Sequence, residues 1–131
     1  MKKLTILVGL VMALALALPS SAAASFSKVA ILSASDEQES DGFGIGVAIS
    51  DDTAIVGTAI AAYIFQRNPG WGEVMKLTAS DAQANDQFGQ SVSVSGDTAV
   101  VGAPLEDAGD IDAGAAYVFA RNEGGPTTGA R

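Results

Sequence analysis

An internal repeat constrains the fold of this chain more than any other feature. Residues 26–57 align with residues 71–102 at a constant offset of 45 positions without a gap, and about half of the aligned positions are identical. The shared segments include Ala34-Ser35-Asp36 with Ala79-Ser80-Asp81, and Phe43-Gly44 with Phe88-Gly89. After an insertion over residues 104–114 of the second copy, the match resumes between residues 61–68 and 115–122. We therefore expect two copies of one structural unit.

Each copy has the pattern of short β-strands separated by turns. Residues 89–95 alternate small or apolar with polar side chains, Gly96-Asp97 is a typical hairpin turn, and residues 98–102 are apolar and β-branched. Residues 73–79 and 115–121 supply further strands. The sequence predicts a full blade over 44–79, a three-stranded blade over 89–121, and a leading strand from Phe26 to Ala34 that is equivalent to the outermost strand.

A period of about 45 to 55 residues is typical of β-propeller blades. We predict an all-β fold of about two four-stranded β-propeller-type blades, which is an incomplete propeller because closed ones have about four to eight. One explanation, which we favour, is that the chain is a fragment of a longer propeller, since its tail ends just before an expected strand. The other is a head-to-tail homo-oligomer, a ring of three or four chains in which the 26–34 strand of one copy follows Arg121 of the next.

The first 24 residues have the features of a secretory signal peptide. Lys2 and Lys3 precede an apolar run over residues 4–18, and small residues up to Ala24 complete an A-x-A cleavage pattern. The alternative is a membrane anchor, but the run is shorter than the roughly 20 residues that a spanning helix needs. We predict a mature chain of residues 25–131 without a membrane span, in a secreted, periplasmic or cell-surface location.

The composition excludes several classes of function. The chain has no His and no Cys, which removes the commonest general base, the thiolate nucleophile and the usual ligands of zinc, haem and iron-sulfur clusters. Its formal net charge is −8, so it lacks the Lys/Arg surface that binds nucleic acid through phosphates. We therefore predict a protein that is not an enzyme, has no nucleic-acid partner and has no catalytic residue or bound cofactor.

Two short motifs resemble the FG-GAP repeat, the blade unit of integrin alpha-subunit propellers and of many bacterial exported proteins. The second copy has Phe88-Gly89 followed by Gly102-Ala103-Pro104, whereas the first keeps Phe43-Gly44 but reads Gly57-Thr58-Ala59. The resemblance implies a degenerate first repeat over 25–70 and a second repeat over 71–122. The turn-rich composition of residues 123–131 predicts a disordered tail.

The repeated aromatic and glycine residues have a packing role in this interpretation. We expect Phe43 and Phe88 to lie between neighbouring blades, and the motif glycines to allow close backbone approach near the propeller axis (Gly44, Gly57, Gly89 and Gly102). Two acidic pairs recur in both copies, Asp36 with Asp41 and Asp81 with Asp86. Because one active site would need only one pair, we expect these aspartates to bond loop amides.

The insertion in the second copy is the candidate metal site. It carries four carboxylates within nine residues, and hard cations such as calcium prefer several oxygen ligands (Glu106, Asp107, Asp110 and Asp112). The ligand pattern lacks a third acidic position before Gly114 and a downstream bidentate Glu. The interval between the FG and GAP elements holds a single carboxylate, so the chain resembles the bacterial variant that lacks the calcium loop. We favour a solvated acidic turn over a weak calcium site.

Two functions follow from these observations. The first is an exported, non-enzymatic interaction module that binds a protein or a glycan through its inter-strand loops. The alternative is an exported hydrolase, or a regulatory part of one, that uses Asp/Glu or metal-assisted chemistry.

Overall fold

The computed structural model describes residues 21–121 except residues 82, 84 and 108, and these residues contain seven strands and no helix. The strands are β1 (Gly46–Ser50), β2 (Thr53–Gly57), β3 (Ala62–Arg67), β4 (Trp71–Leu77), β5 (Ser91–Ser95), β6 (Thr98–Ala103) and β7 (Ala115–Ala120). They form two antiparallel sheets, which we call sheet 1 (β1-β2-β3-β4) and sheet 2 (β5-β6-β7). The predicted all-β fold with one four-stranded and one three-stranded blade is confirmed. Within the described ranges, no helix is long and apolar enough to cross a membrane.

The predicted leading strand is wrong. Residues 26–34 have no strand structure, and three of their apolar side chains stay largely exposed, with relative exposures of 108% (Phe26), 84% (Val29) and 80% (Ile31). The equivalent segment of the second copy is β4, which is a strand because it pairs with β3. No strand edge among the described residues pairs with residues 26–34, so their backbone groups have no ladder to join. The predicted disordered tail, and the signal peptide except residues 21–24, lie outside the described residues.

The main core lies between the two sheets. One face of sheet 1, which we call its back face, carries Ala48, Ile55, Ala62 and Ile64, as the strand register requires. It packs on the front face of sheet 2, which carries Val92, Val94, Ala99, Val101 and Tyr117. The front face of sheet 1 holds the equivalent residues Val47, Ile49, Ala54, Val56 and Tyr63. The two copies are thus stacked in the same orientation, front face against back face.

Phe88 lies at the centre of this core. Its side chain is fully buried, and its ring lies 5.2 Å from Tyr117 and 6.3 Å from Phe119 in edge-to-face arrangements. Phe43 makes the equivalent contacts on the front face of sheet 1, at 5.7 Å from Tyr63 and 6.1 Å from Phe65. Phe43 is only half-buried, because no second sheet covers it in the described part of the chain. The same side chain in the two copies therefore differs in its burial.

Two motif glycines bring the sheets together. A β-carbon on Gly57 would overlap the carbonyl oxygen of Gly89, and one on Gly89 would overlap the carbonyl oxygens of Thr58 and Ala61. Gly89 also has a φ of +103°, a conformation that side-chain-bearing residues rarely adopt. Any larger residue at Gly57 or Gly89 would therefore separate the back face of sheet 1 from the FG turn of the second copy.

We expect Phe88→Ala to lower the free energy of unfolding by about 3 to 5 kcal/mol, because it leaves a cavity between the sheets. Phe43→Ala is the matched control, since it removes the same atoms from the equivalent but half-covered position and should cost clearly less. Urea unfolding of both variants measures the difference. Equal losses would show that Phe88 gains nothing from the second sheet.

Candidate functional site

The connections between strands lie at two opposite ends of the stack. In each antiparallel sheet, consecutive connections alternate between ends. The tight turns at 51–52, 68–70 and 96–97 line one surface together, which we call the hairpin end. The longer connections at 58–61, 78–90 and 104–114 lie at the other end, which we call the loop end. Functional side chains can therefore gather at either end, but one site cannot combine both.

A tyrosine-aspartate hydrogen bond recurs at the loop end. The Tyr63 hydroxyl donates to Asp36 Oδ1 at 2.8 Å, and the equivalent Tyr117 hydroxyl donates to Asp81 Oδ1 at 3.3 Å. In the first copy, Lys76 Nζ also contacts Asp36 Oδ2 at 2.5 Å. The second aspartate of the pair in the second copy has a different role: Asp86 Oδ2 accepts a hydrogen bond from the Gln83 amide at 2.8 Å. Three of the four repeated aspartates thus use their side chains to hold the loops in place.

These contacts shift several pKa values. Burial, followed by the charges of Asp81 and Glu106, raises the pKa of Tyr117 to about 12. Burial and the hydrogen bond to Asp36 raise the pKa of Tyr63. The hydrogen bonds from Lys76 and Tyr63 lower the pKa of Asp36, and the same carboxylate raises the pKa of Lys76. Both tyrosines are therefore held protonated, as structural hydrogen-bond donors rather than as bases.

The backbone also ties the two motifs of each copy together. The carbonyl of Asp41 accepts a hydrogen bond from the Ala59 amide at 3.0 Å, and that of Asp86 accepts one from the Leu105 amide at 3.3 Å. The amide of Gly89 donates to the carbonyl of Gly102 at 3.0 Å, and that of Gly44 donates to Gly57 in the same way. The FG turn and the GAP turn of one copy are therefore a single bonded unit.

The acidic loop does not bring its carboxylates together. Glu106 is buried, with 5% of its surface exposed, whereas the three aspartates are exposed. Asp107 Oδ1 accepts a hydrogen bond from the Asp112 amide at 2.6 Å, and Asp110 Oδ1 accepts one from the Ile111 amide at 2.8 Å. Within the described ranges, no group of three or more His, Cys, Asp or Glu side chains is placed to hold a metal ion. As arranged, these carboxylates do not form a calcium cage. The solvated acidic turn that we favour, with a weak calcium site as its alternative, stays a prediction.

The hairpin end contains a shallow cleft, none of whose residues belongs to the FG or GAP motifs. Its volume is about 500 Å³, and its lining is polar and charged (Asp51, Asp52, Arg67, Asn68, Asp97 and Arg121 among others). The two arginines occupy equivalent positions, as do Asp52 and Asp97. The alignment of the two copies therefore already shows that these charged residues are repeated.

Each arginine in this cleft pairs with the aspartate of its own copy. Arg67 Nη2 lies 2.5 Å from Asp52 Oδ1, and Arg121 Nε lies 3.6 Å from Asp97 Oδ1. The backbone amides of both arginines also donate to the carbonyls of these aspartates, at 2.9 and 2.8 Å. Because the four side chains are 45% to 67% exposed, the ion pairs add little stability. Their guanidinium and carboxylate groups can instead form directed hydrogen bonds with a polar partner.

The fold and these two ends define a class: an all-β protein made of stacked, blade-like sheets, with motif residues in the inter-sheet contact and polar turns at the ends. The FG-GAP repeat family model matches residues 26–65 and 71–119. These matches cover more than half of the chain, so it belongs to the FG-GAP repeat family. No curated protein and no solved structure matches the chain.

We expect the tyrosine contacts to make folding sensitive to alkaline pH. The native protein keeps the Tyr117 proton up to about pH 12, whereas an unfolded chain releases it near pH 10. The stabilisation is complete below about pH 10 and is lost as the pH rises through about 12. The chain has two tyrosines, so ultraviolet absorbance of the phenolate can follow both.

Tyr117→Phe is the control for this titration. The variant should lose less free energy of unfolding than the parent between about pH 10 and 12, because it lacks the Tyr117 proton while the linked titrations of Tyr63 and Lys76 remain the same in both proteins. Urea unfolding at several alkaline pH values measures the loss. An identical alkaline loss in both proteins would contradict the assigned environment of Tyr117.

Proposed function

We propose that this protein is an exported, non-enzymatic interaction module that binds a protein or a glycan at its hairpin end. The supporting observation is the cleft of about 500 Å³ in which turns from both sheets meet. The β1–β2, β3–β4 and β5–β6 turns all contribute to it. A partner in this cleft would contact both copies of the repeat at once, and rigid sheets would hold the contacting turns in place.

The chemistry of the cleft favours a polar partner. Arg67 and Arg121 present guanidinium donors, while Asp51, Asp52 and Asp97 present carboxylate acceptors, and all of these side chains are exposed or partly exposed. Charges of both signs suit hydroxyl-rich or peptide-like groups better than a purely apolar or polyanionic ligand. The net charge of −8 further disfavours nucleic acid.

Export is part of the same proposal. The predicted signal peptide over residues 1–24 supports it, and the absence of cysteine from the sequence means that the chain has no thiol to protect in an oxidising compartment. The segment that links the signal to sheet 1 carries no strand in its described residues from position 21.

The binding surface can be tested by changing single turn residues. We expect Asp51→Asn and Asn68→Ala to weaken capture of a ligand found on a glycan array or in a displayed peptide library by about tenfold, as loss of a contact to a charged or polar group does. Asp51 has a φ of +51°, which Asn also tolerates, so the turn is retained. Asp110→Asn, at the loop end, is the matched control. Weakening by Asp110→Asn but not by the hairpin-end variants would move the site to the loop end.

The hydrolase alternative has its own decisive outcome. The protein is assayed against a panel of glycosidic and phosphoester substrates, with and without added calcium, and we expect no turnover. If turnover is found and is lost in Asp110→Asn or Asp112→Asn, the acidic loop is catalytic and the proposal of a non-enzymatic module fails. Asp112 has a φ of +52°, so Asn there also preserves the backbone.

A further inference from the structure

Each sheet has a front face and a back face, and only one front face and one back face are in contact within the chain. The back face of sheet 1 meets the front face of sheet 2 within the chain. The front face of sheet 1 and the back face of sheet 2 meet no sheet among the described residues. Because both copies share one sequence pattern, the free front face has the same construction as the buried front face. The free back face has Val100, Gly102 and Val118 where the buried one has Ile55, Gly57 and Ile64, and it has Ser91 and Ser93 in place of Gly46 and Ala48.

Equivalent side chains are exposed on the free faces but buried or partly buried on the two faces that meet between the sheets. On the front face of sheet 1, Val47 and Ile49 are 68% and 66% exposed, whereas the equivalent Val92 and Val94 of sheet 2 are partly buried against sheet 1. On the back face of sheet 2, Val118 is 55% exposed, whereas the equivalent Ile64 is packed in the core. Val47, Ile49 and Val118 are thus exposed apolar side chains that no sheet faces. The rest of the front face of sheet 1 is already buried, with Leu32, Ala34 and Phe43 packed against it (Ala54, Val56, Tyr63 and Phe65).

Only one of the two equivalent glycine pairs makes the inter-sheet contact within the chain. Gly57 meets Gly89 in the chain, and their equivalents in the other copy are Gly102 and Gly44. A β-carbon on Gly44 would meet nothing within 4 Å among the described residues, and one on Gly102 would meet only the movable side chain of Ser91 within 3.5 Å. Gly44 nevertheless has a φ of +99°, close to the +103° of Gly89. The open pair therefore keeps the backbone conformation that the occupied pair uses.

The free edge of sheet 2 has a matching free segment. β7 is the outermost strand of sheet 2, and its equivalent β3 pairs with β4 over Trp71–Leu77. The 45-residue offset makes residues 26–32 the equivalent of β4. That segment forms no strand, and it exposes Phe26 and Val29 where β4 has Trp71 and Val74. An open strand edge and an unpaired, strand-like segment are the two halves of a β-augmentation contact.

We propose that two copies of this chain associate head to tail, with the back face and β7 edge of sheet 2 in one copy bound to the front face of sheet 1 and residues 26–32 of the next. The spacing permits both contacts at once, because residues 26–57 and 71–102 align without a gap. In the chain, β4 joins sheet 1 while the residues after it lead to the front face of sheet 2. A second copy reproduces that path across the new contact.

The contact is heterologous, so it leaves one free face at each end of a pair and continues until the ring closes. Propellers contain about four to eight blades, so a ring in which each copy contributes the two sheets described would close with two to four copies. A second copy of this chain is the occupant of the free faces. The chain carries both complementary surfaces, and the contact between its own two sheets shows how such surfaces pack.

The test uses one lysine on each face. Ile49→Lys blocks the front face of sheet 1, Val118→Lys blocks the back face of sheet 2, and both side chains are exposed, so neither change enters the core of the single chain. Ile111→Lys is the matched control, because Ile111 is 82% exposed and lies in the acidic loop between β6 and β7, outside the strands of both sheets. Molar mass is measured by light scattering after gel filtration, with circular dichroism to verify the fold.

We expect the parent and Ile111→Lys to have a mass at least twice that of one chain, and each of the two face variants to be a monomer. An equimolar mixture of the face variants should form a dimer and nothing larger, because one variant retains a back face and the other retains a front face. A monomeric parent, or a mixture that stays monomeric, would overturn the proposal. Equal dissociation by Ile111→Lys would do the same.

Discussion

The close approach of Gly57 and Gly89 is the contact on which the rest of the structure depends. It lets the back face of sheet 1 reach the front face of sheet 2, so that Ile55, Ala62 and Val101 are completely buried with Phe88 between the sheets. A smaller cluster is buried on the front face of sheet 1 (Ala54, Val56, Ala61, Tyr63 and Phe65), but the larger cluster needs both sheets, as expected for repeats that bury a face against each neighbour. The FG and GAP motifs are therefore the two sides of one inter-sheet contact, with Gly57 in the position of the GAP glycine.

The strands and their division into two sheets could be predicted from the sequence because the same pattern of strands and turns occurs twice. The 45-residue offset and the turn residues predicted the number and order of the strands in both sheets. The leading strand was predicted wrongly, because residues 26–34 have the composition of β4 but not its partner. Strand formation depends on a paired edge as well as on local pattern, and an alignment of two copies cannot show whether that edge is present.

The side-chain chemistry was harder to predict. The acidic loop was conspicuous because its carboxylates are close in sequence, yet the fold buries Glu106 and uses Asp107 and Asp110 to bond amides of their own loop. The cleft at the hairpin end was overlooked because its residues are distant in sequence and become neighbours only when three turns meet. Arg67 and Arg121 were visible as a repeated position, but only the stacking of the sheets places them at one surface.

The stability of Gly57→Ala tests the central role of the inter-sheet contact most directly. A methyl group there would overlap the Gly89 carbonyl, so we expect the free energy of unfolding in urea to fall by about 1 to 3 kcal/mol. Gly72→Ala is the matched control, because a β-carbon on Gly72 would meet nothing within 4 Å among the described residues. This control should be as stable as the parent or slightly more so. If Gly57→Ala were as stable as Gly72→Ala, the sheets would not depend on the glycine contact.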